Sequence, residues 1–306
     1  MEFVVNWLAA TPGYAAPLLL ASLGLIINER AGVLNLGAEG MMTCGALAGA
    51  IVSVTSGWPV LGMAASVIAG ALMATLFGVA TVYLRANQVV SGLIVVALGA
   101  GLAGVFGREY VSITLLGFKA LGWGLADIAV IGPIVFKQNV LTYLAFLLVA
   151  VVWYVLFRSR TGLRLRAAGE DPATADASGV NVLSTRLLAV VIGGGFCGAA
   201  GGYLALASSY IWVEGMIAGR GWIAVGLVIF ARWQPKLALV GALLFGAIEA
   251  LIPRVQATGA DVPIYIMMML PYLATLGVLV LAGLTSRRGS NEPGSLGVAY
   301  SRQDRH

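Results

Sequence analysis

The chain has 306 residues, of which 60% are hydrophobic and only 10% charged, and its mean hydropathy is +0.95. Soluble domains of this length do not have such a composition, so the chain is predicted to cross a membrane many times. Its net charge of +5 lies in segments between apolar runs, which argues against a nucleic-acid-binding surface. The single histidine, His306, is the last residue, and Cys44 and Cys197 lie in apolar runs. We therefore expect no catalytic residues and no metal site.

The apolar runs are continuous rather than alternating, which favours membrane-spanning helices over a barrel. Since each span needs about 20 residues, we predict about nine spans. The expected fold is an all-α polytopic membrane protein whose transmembrane domain covers residues 1–286. The predicted spans are 12–27, 32–55, 60–84, 88–107, 138–157, 184–208, 216–232, 236–253 and 262–283.

The main polar interruption, residues 158–186, starts with four arginines and then turns acidic. Arg-rich loops stay on the cytoplasmic side, so the chain is predicted to have its N-terminus outside and its C-terminus inside. Residues 108–137 then form an external loop, in which Trp123 and Pro133 predict a short interfacial helix. The polar tail, residues 287–306, is predicted to be a disordered cytoplasmic segment.

Small residues recur at four-residue spacing in two of the predicted spans. Gly194, Gly198 and Gly202 form one such face, and Gly45 and Gly49 form another. Faces of this kind let helix backbones approach closely in lipid. They predict helix packing and carry no information about a solute.

The segment Asn28–Met42 contains polar groups at membrane depth. Asn35 and Glu39 lie four residues apart, on one helix face, and ionisable groups inside a membrane usually face a cavity or a partner. The alternative is structural: Glu29 and Arg30 cap a helix end, and Glu39 pairs internally. The residues alone leave both readings open.

A second polar, glycine-bearing helix entry lies at Ala218–Trp233, where two glycines flank Arg220 ahead of Trp222. In the predicted topology it enters from the outer side, whereas Asn28–Met42 enters from the inner side. Such opposed entries in the two halves of a chain indicate inverted repeats around a central pathway.

Nucleotide binding by a P-loop is excluded, because none of the three lysines follows a glycine-rich loop. If transport here uses ATP, another subunit must supply the ATPase site.

Three stretches together resemble the permeases of bacterial ABC importers for branched-chain amino acids, ribose-type sugars and nucleosides, and most of all the nucleoside branch. They are NERAGVLNLGAEGMMTCGA (Asn28–Ala46), SRTGLRLRAAGEDPATADASGVNV (Ser159–Val182) and AGRGWIAVGLVIFARWQP (Ala218–Pro235). The similarity runs from about residue 15 to residue 283, in matching order.

The resemblance implies a type II-like importer fold in the bacterial inner membrane. It also implies a second, longer permease, two ATPase subunits that carry ATP and magnesium, and an external substrate-binding protein. The chain itself would hold no cofactor. The substrate pathway implied by the matching motifs is lined by Asn35, Gly37, Glu39, Gly219, Arg220, Gly221 and Trp222.

The same resemblance makes residues 158–186 the segment that couples the permease to the ATPase, through a short helix from about Ala167 to Gly179. Its expected coupling residues are Arg160, Gly162, Arg164, Glu170, Asp171, Pro172, Asp176 and Gly179.

Other functions stay open at this point. A permease of the same family could carry a simple sugar or a branched-chain amino acid. A secondary transporter or channel would explain intramembrane Glu39 and Glu249, but not the docking loop, and Glu249 is more simply read as a helix-pairing residue. An intramembrane enzyme lacks a catalytic set.

Overall fold

The computed structural model describes residues 2–122, 124, 131–257, 263–285 and 292–301, and these form α-helices joined by short turns, with no β-strand among them. The helices are α1 Glu2–Arg30, α2 Ala38–Ser56, α3 Pro59–Gly78, α4 Gln88–Phe106, α5 Val140–Arg158, α6 Arg160–Glu170, α7 Pro172–Ala177, α8 Val182–Tyr203, α9 Arg220–Phe230, α10 Pro235–Ala257 and α11 Ile264–Thr285. Within these ranges, seven helices are long and apolar enough to cross a membrane. The all-α, polytopic prediction is confirmed.

Asparagine side chains cap the N-termini of three of the long helices. The side chain of Asn87 accepts from the Val90 backbone N at the start of α4, and that of Asn139 accepts from the Thr142 N at the start of α5. Asn181 does the same for the Ser184 N at the start of α8. Each cap satisfies one of the amides that have no partner within the helix.

Helix α1 is the centre of the bundle. Its residues from Ala15 to Glu29 are almost all buried, and it packs against α8, α10, α9 and α5. The Trp7 Nε1 donates to the Ala247 carbonyl of α10 at 2.7 Å. A helix that is apolar all round and enclosed in this way is the core of a membrane bundle.

Helices α2, α3 and α8 form a second packing unit through their glycines. A Cβ built on any of the five predicted packing glycines would come within 3.0 Å of a heavy atom in a neighbouring helix. At Gly45 that neighbour is the Gly198 backbone, and at Gly198 it is the α3 backbone at Ser66. Backbones at this separation leave no room for a side chain.

The predicted span at 216–232 is wrong in its extent. The helix there is α9, which has 11 residues and is about 16 Å long, roughly half of the hydrocarbon thickness. Residues 214–219 ahead of it form turns in which Gly215 and Gly219 have φ values of 75° and 81°. A backbone in this left-handed region cannot continue a right-handed helix.

Where it is described, the predicted external loop, 108–137, starts with a 3₁₀ turn at Arg108–Tyr110 and has little regular structure from there to residue 122. Its amides donate to the residues just beyond α8, from the Leu115 N to the Tyr210 carbonyl at 2.8 Å and from the Phe118 N to the Leu206 carbonyl at 2.9 Å. Pro133 lies in a π-helical turn, Gly132–Phe136. Trp123, which suggested an interfacial helix, lies outside the described residues.

The predicted disorder of the tail does not hold for residues 292–301. They form turns against α6 and α8, and Ser295 and Ser301 are both buried. Composition alone predicted a solvated segment. It could not reveal the hydrogen bonds that hold these residues, because their partners lie more than 100 positions earlier in the sequence.

Candidate functional site

The N-terminus of α2 is placed by the loop that joins it to α1. The Asn35 Oδ1 accepts from the Gly37 backbone N at 2.9 Å, and the Leu34 N donates to Gln88 of α4 at 2.7 Å. This local turn stops the chain from being helical between Arg30 and Ala38. Glu39 therefore lies in the first turn of α2, where a carboxylate is stabilised by the helix dipole.

The Glu39 carboxylate binds the N-terminus of α9. Its Oε1 accepts from the Gly219 backbone N at 2.8 Å, and its Oε2 accepts from the Gly221 N at 2.7 Å. These amides belong to the first turn of α9 and have no partner within that helix. One carboxylate thus joins the N-termini of two helices that lie 180 residues apart in the sequence.

Gly221 is needed for this approach. A Cβ at Gly221 would lie 2.5 Å from the Glu39 backbone N and 2.6 Å from its Cα. Because backbone atoms cannot move aside as a flexible side chain can, a larger residue would separate α9 from α2.

The Arg220 side chain pairs with a carboxylate of α10. Its Nε donates to the Glu249 Oε2 at 3.1 Å, and its Nη2 lies 3.1 Å from the same oxygen. Its Nη1 donates to the carbonyls of Met216 and Ile217, at 3.2 Å each. The helix-pairing role expected for Glu249 is confirmed, and its partner is Arg220.

A cavity of about 360 Å³ opens beside this ion pair. Two tyrosine rings and the ion pair give it a mixed polar and apolar wall, and the Tyr272 hydroxyl donates to the Ala218 carbonyl at 3.0 Å. Its size is in the range of small-molecule sites. The lining residues are Tyr14, Ala218, Arg220, Ile223, Glu249, Ile252, Pro253, Pro271 and Tyr272.

The predicted pathway residues are only partly brought together. Glu39, Gly219 and Gly221 meet directly, and Arg220 lines the cavity. Asn35 is fully buried, its side chain is engaged within its own loop, and Gly37 packs against Val95 of α4. These two residues shape the α1–α2 loop and do not line the cavity.

Tyr14, Glu249 and Tyr272 are cavity residues that the motif-based prediction missed. Glu249 had a usable signal, since it is a carboxylate within an apolar run. The two tyrosines carried no such signal in the sequence, because tyrosine is common in membrane helices. Only the packing of α1, α10 and α11 brings both side chains to the wall of the same cavity.

The other end of α9 is held by the end of α1. The Trp233 Nε1 donates to the Glu29 carboxylate, and the Arg30 Nε donates to the Trp233 carbonyl at 3.1 Å. Arg30 thus satisfies a carbonyl just beyond the C-terminus of α9, where a positive charge is favoured. Arg30 therefore holds a helix end, that of α9, whereas the Glu29 carboxylate accepts from the Trp233 side chain.

The predicted coupling segment, residues 158–186, does not contain the single helix expected over Ala167–Gly179. It forms two helices, α6 and α7, with a break at Asp171. Pro172 causes the break, because it has no amide to donate and disfavours a helical conformation at the residue before it. The result is a six-residue helix, α7, presented at the end of α6.

Asp171 caps α7. Its Oδ1 accepts from the backbone N of Ala173 and of Thr174, both at 3.1 Å, and the Thr174 hydroxyl donates to its Oδ2. These hydrogen bonds, that of the Thr174 hydroxyl above all, lower the pKa of the Asp171 carboxyl below its ordinary value. The cap is therefore ionised at neutral pH.

The other predicted coupling residues lie on the exposed side of α6 and α7 or at their ends. Gly162 is the exception: it is buried, and a Cβ there would lie 2.5 Å from the Leu156 carbonyl of α5. Ser159 caps α6 by accepting from the Gly162 N at 3.0 Å. The exposed or half-exposed residues are Arg160, Arg164, Glu170, Asp171, Pro172, Asp176 and Gly179.

Known proteins resemble this chain over most of its length. It is 42% identical to TsgC13 of Haloferax volcanii, named as a candidate glucose ABC transporter permease, over 99% of each chain. It is 37% identical to the guanosine ABC transporter permease NupQ of Bacillus subtilis, over 95% of each chain. Among solved structures, a candidate metal-chelate type ABC transporter in an inward-facing conformation matches 90% of this chain and 86% of its own, with 18% identity and a TM-score of 0.50. That structural likeness concerns the fold alone.

Residues 8–280 match the family described as the permease component of the branched-chain amino acid transport system. Among the described residues, seven helices are long and apolar enough to cross a membrane, in agreement with these relatives. The chain therefore belongs to this family and is the permease component of an ABC transporter.

Proposed function

We propose that this chain is one of two permeases in an ATP-driven importer whose solute is a nucleoside. Its likeness to a permease named for guanosine supports the solute class. The cavity wall suits it as well, since tyrosine rings can stack on a base and a paired carboxylate and guanidinium can bind hydroxyl groups.

The observation that carries the proposal is the junction of α2 with α9. The half-length helix α9 begins within the bundle, where its first amides donate to the Glu39 carboxylate. This junction lies next to the cavity that the Arg220–Glu249 ion pair lines. Broken helices with charged groups at their ends are typical of solute pathways near the middle of a membrane. We infer that Glu39 and the segment Gly219–Trp222 border the pathway, with Asn35 and Gly37 shaping the loop behind it.

ATP hydrolysis takes place on separate subunits. The coupling residues on the exposed side of α6 and α7, Glu170 and Asp171 among them, would bind a cleft on the ATPase subunit. Closure of the ATPase dimer would then move α7, and the closely packed α2, α3 and α8 would transmit the motion as a rigid unit.

In this arrangement the N-terminus lies outside and the C-terminus lies in the cytoplasm of a bacterial inner membrane. A second, longer permease would complete the pathway, and an external binding protein would deliver the solute. The arginines of α6 support this orientation through the positive-inside rule.

Uptake by cells with and without this gene tests the proposal. We expect uptake of radiolabelled guanosine to fall to background when the gene is deleted, to return with the wild-type gene and to stop when cellular ATP is depleted. Uptake that continues without ATP would contradict an ABC mechanism for this solute.

A second candidate solute is a simple sugar, favoured by the 42% identity to the glucose-named relative. Radiolabelled glucose and leucine in the same cells separate the alternatives. If only glucose uptake depends on the gene, the sugar assignment replaces the nucleoside one.

A further inference from the structure

Residues 292–301 lie against the coupling segment through their backbone. The Ser295 N donates to the Gly169 carbonyl at 2.9 Å, and the Ser295 hydroxyl donates to the same carbonyl at 2.6 Å. The Gly297 N donates to the Gly32 carbonyl of the α1–α2 loop at 3.3 Å. The segment therefore bridges the end of α6 and the loop that leads to Glu39.

Arg186 of α8 is the centre of these contacts. It is only 2% exposed, and its guanidinium donates to the Val298 carbonyl at 2.9 Å, to the Ser295 hydroxyl at 2.8 Å and to the Ala168 carbonyl at 3.1 Å. A buried guanidinium is costly unless its donors are paired. Two of these three acceptors belong to residues 292–301, so the segment helps to make the burial of Arg186 tolerable.

Gly32 leaves the space for this arrangement. Its φ is 86°, and a Cβ there would lie 2.8 Å from the Arg186 Nη2 and 2.9 Å from the Ser295 Oγ. The α1–α2 loop, α8 and residues 292–301 thus meet at one point without intervening side chains.

Tyr300 extends the contact to α7. It packs against a small apolar cluster made of Ala168, Ala175 and Val182, which come from α6, α7 and α8 respectively. Tyr300 also borders a pocket of about 280 Å³ together with the turn between α7 and α8. The last described residues therefore touch every helix of the coupling region.

We propose that residues 292–301 form a clasp that holds α7 in place and contributes, with α7, to the surface on which the ATPase subunit docks. This proposal rests on the docking role proposed above for residues 158–186. The exposed part of the clasp continues the surface of α7: Val298 is 59% exposed, and the pocket beside Tyr300 opens next to Asp176 and Gly179. Arg186 and Ser295 act as positioning residues in this arrangement.

Truncation gives the first test. A chain that ends at residue 291 lacks the clasp, whereas a control chain that ends at Ser301 keeps it. Each is co-expressed with the second permease, purified in detergent and titrated with the purified ATPase subunit. We expect the shorter chain to bind the ATPase about tenfold more weakly than wild type and the control to bind equally well. Equal binding by all three chains would overturn the proposal.

Point variants keep the test decisive if the shorter chain does not fold. Ser295→Ala removes the hydroxyl that Arg186 and Gly169 share, and we expect about threefold weaker ATPase binding. Ser295→Thr keeps the hydroxyl and should restore binding. Pairing with the second permease should be unchanged in both variants, and the loss of one acceptor of Arg186 should lower the thermal unfolding midpoint of Ser295→Ala only slightly. Weaker binding that merely tracks a lower midpoint would contradict a positioning role.

Asp171→Ala, which removes the N-cap of α7, distinguishes a wrong clasp proposal from a wrong docking proposal. If the α7 variant weakens ATPase binding and the clasp variants do not, only the clasp proposal is wrong. If neither weakens it, residues 158–186 are not the docking segment.

Discussion

Glu39 and Asp171 are both carboxylates at helix N-termini, but they lie in different parts of the molecule. Glu39, in the membrane bundle, accepts from two amides of another helix. Asp171, on the exposed coupling segment, accepts from two amides of its own helix. The chemistry is the same, and one contact is tertiary whereas the other is local.

The difference shows that the surroundings of a capping carboxylate determine how much it stabilises the fold. On the surface, water can replace a lost cap, so the hydrogen bonds of Asp171 set where α7 begins and add little to the stability of the whole fold. Between packed membrane helices, an amide that loses its partner finds few others, so Glu39 holds two helices together. Substitutions should therefore cost far more in the bundle than on the coupling segment.

Loss of the Glu39 carboxylate should have the largest effect. Glu39→Ala leaves the Gly219 and Gly221 amides without their acceptor, and we expect about 3 kcal/mol of destabilisation together with loss of uptake. Glu39→Gln keeps one acceptor oxygen and should fall in between. Thermal unfolding in detergent measures the effect, with the exposed Glu109→Gln as control. An unchanged midpoint in Glu39→Ala would show that the junction is not structural.

Gly45→Ala should rank second. The added Cβ would meet the Gly198 backbone, and separating α2 from α8 should cost about 2 kcal/mol. Gly101→Ala is the matched control, because a Cβ at that helical position meets nothing within 4 Å. The control should be neutral or slightly stabilised, since alanine favours a helix over glycine. Equal effects of the two variants would contradict close packing at Gly45.

The Arg220–Glu249 pair should show a smaller coupling. Comparing Arg220→Gln, Glu249→Gln and the double variant gives its interaction energy, which we expect to be about 1 kcal/mol because polar contacts in membranes are modest on average. Additive effects of the two single variants would show that the pair contributes nothing beyond its separate residues.

Asp171 should give the smallest effect and a defined pH dependence. Its folded pKa is lowered, so the cap's stabilisation is complete above the unfolded pKa, near 3.9, and is lost as the pH falls through the lower folded value. Amide exchange at Ala173 and Thr174, corrected for intrinsic rates, should show constant protection from about pH 6 to about pH 8. Asp171→Asn should keep most of that protection, and Asp171→Ala should lose it. Protection that changes within this range would indicate another titrating group.

The fold was largely predictable because its determinants are local. Long apolar runs specify membrane helices wherever they occur, and α4, α5 and α8 begin at asparagine caps visible in the sequence. Two predictions failed where local conformation overrode composition. Positive φ at Gly215 and Gly219 shortened α9, and Pro172 divided the predicted coupling helix.

The candidate site was predictable only in part. Motifs pointed to Glu39 and Arg220, but not to the fact that Glu39 binds amides of α9 while Arg220 turns to Glu249 of α10. Such partners lie tens to hundreds of residues apart, and no periodicity relates them. The same holds for Tyr14 and Tyr272, which share a cavity although they belong to α1 and α11, at opposite ends of the chain.

By itself, the sequence determined the membrane class, the helical architecture, the exposed polar segment at 158–186 and the charged residues within the bundle, such as Glu39. These follow from the cost of placing polar groups in lipid, which acts on each segment separately. Only the tertiary structure decided which charges meet, where the cavity opens and that residues 292–301 are ordered against α6, α7 and α8. Those outcomes depend on close packing between distant segments, and packing is a property of the assembled helices rather than of any one of them.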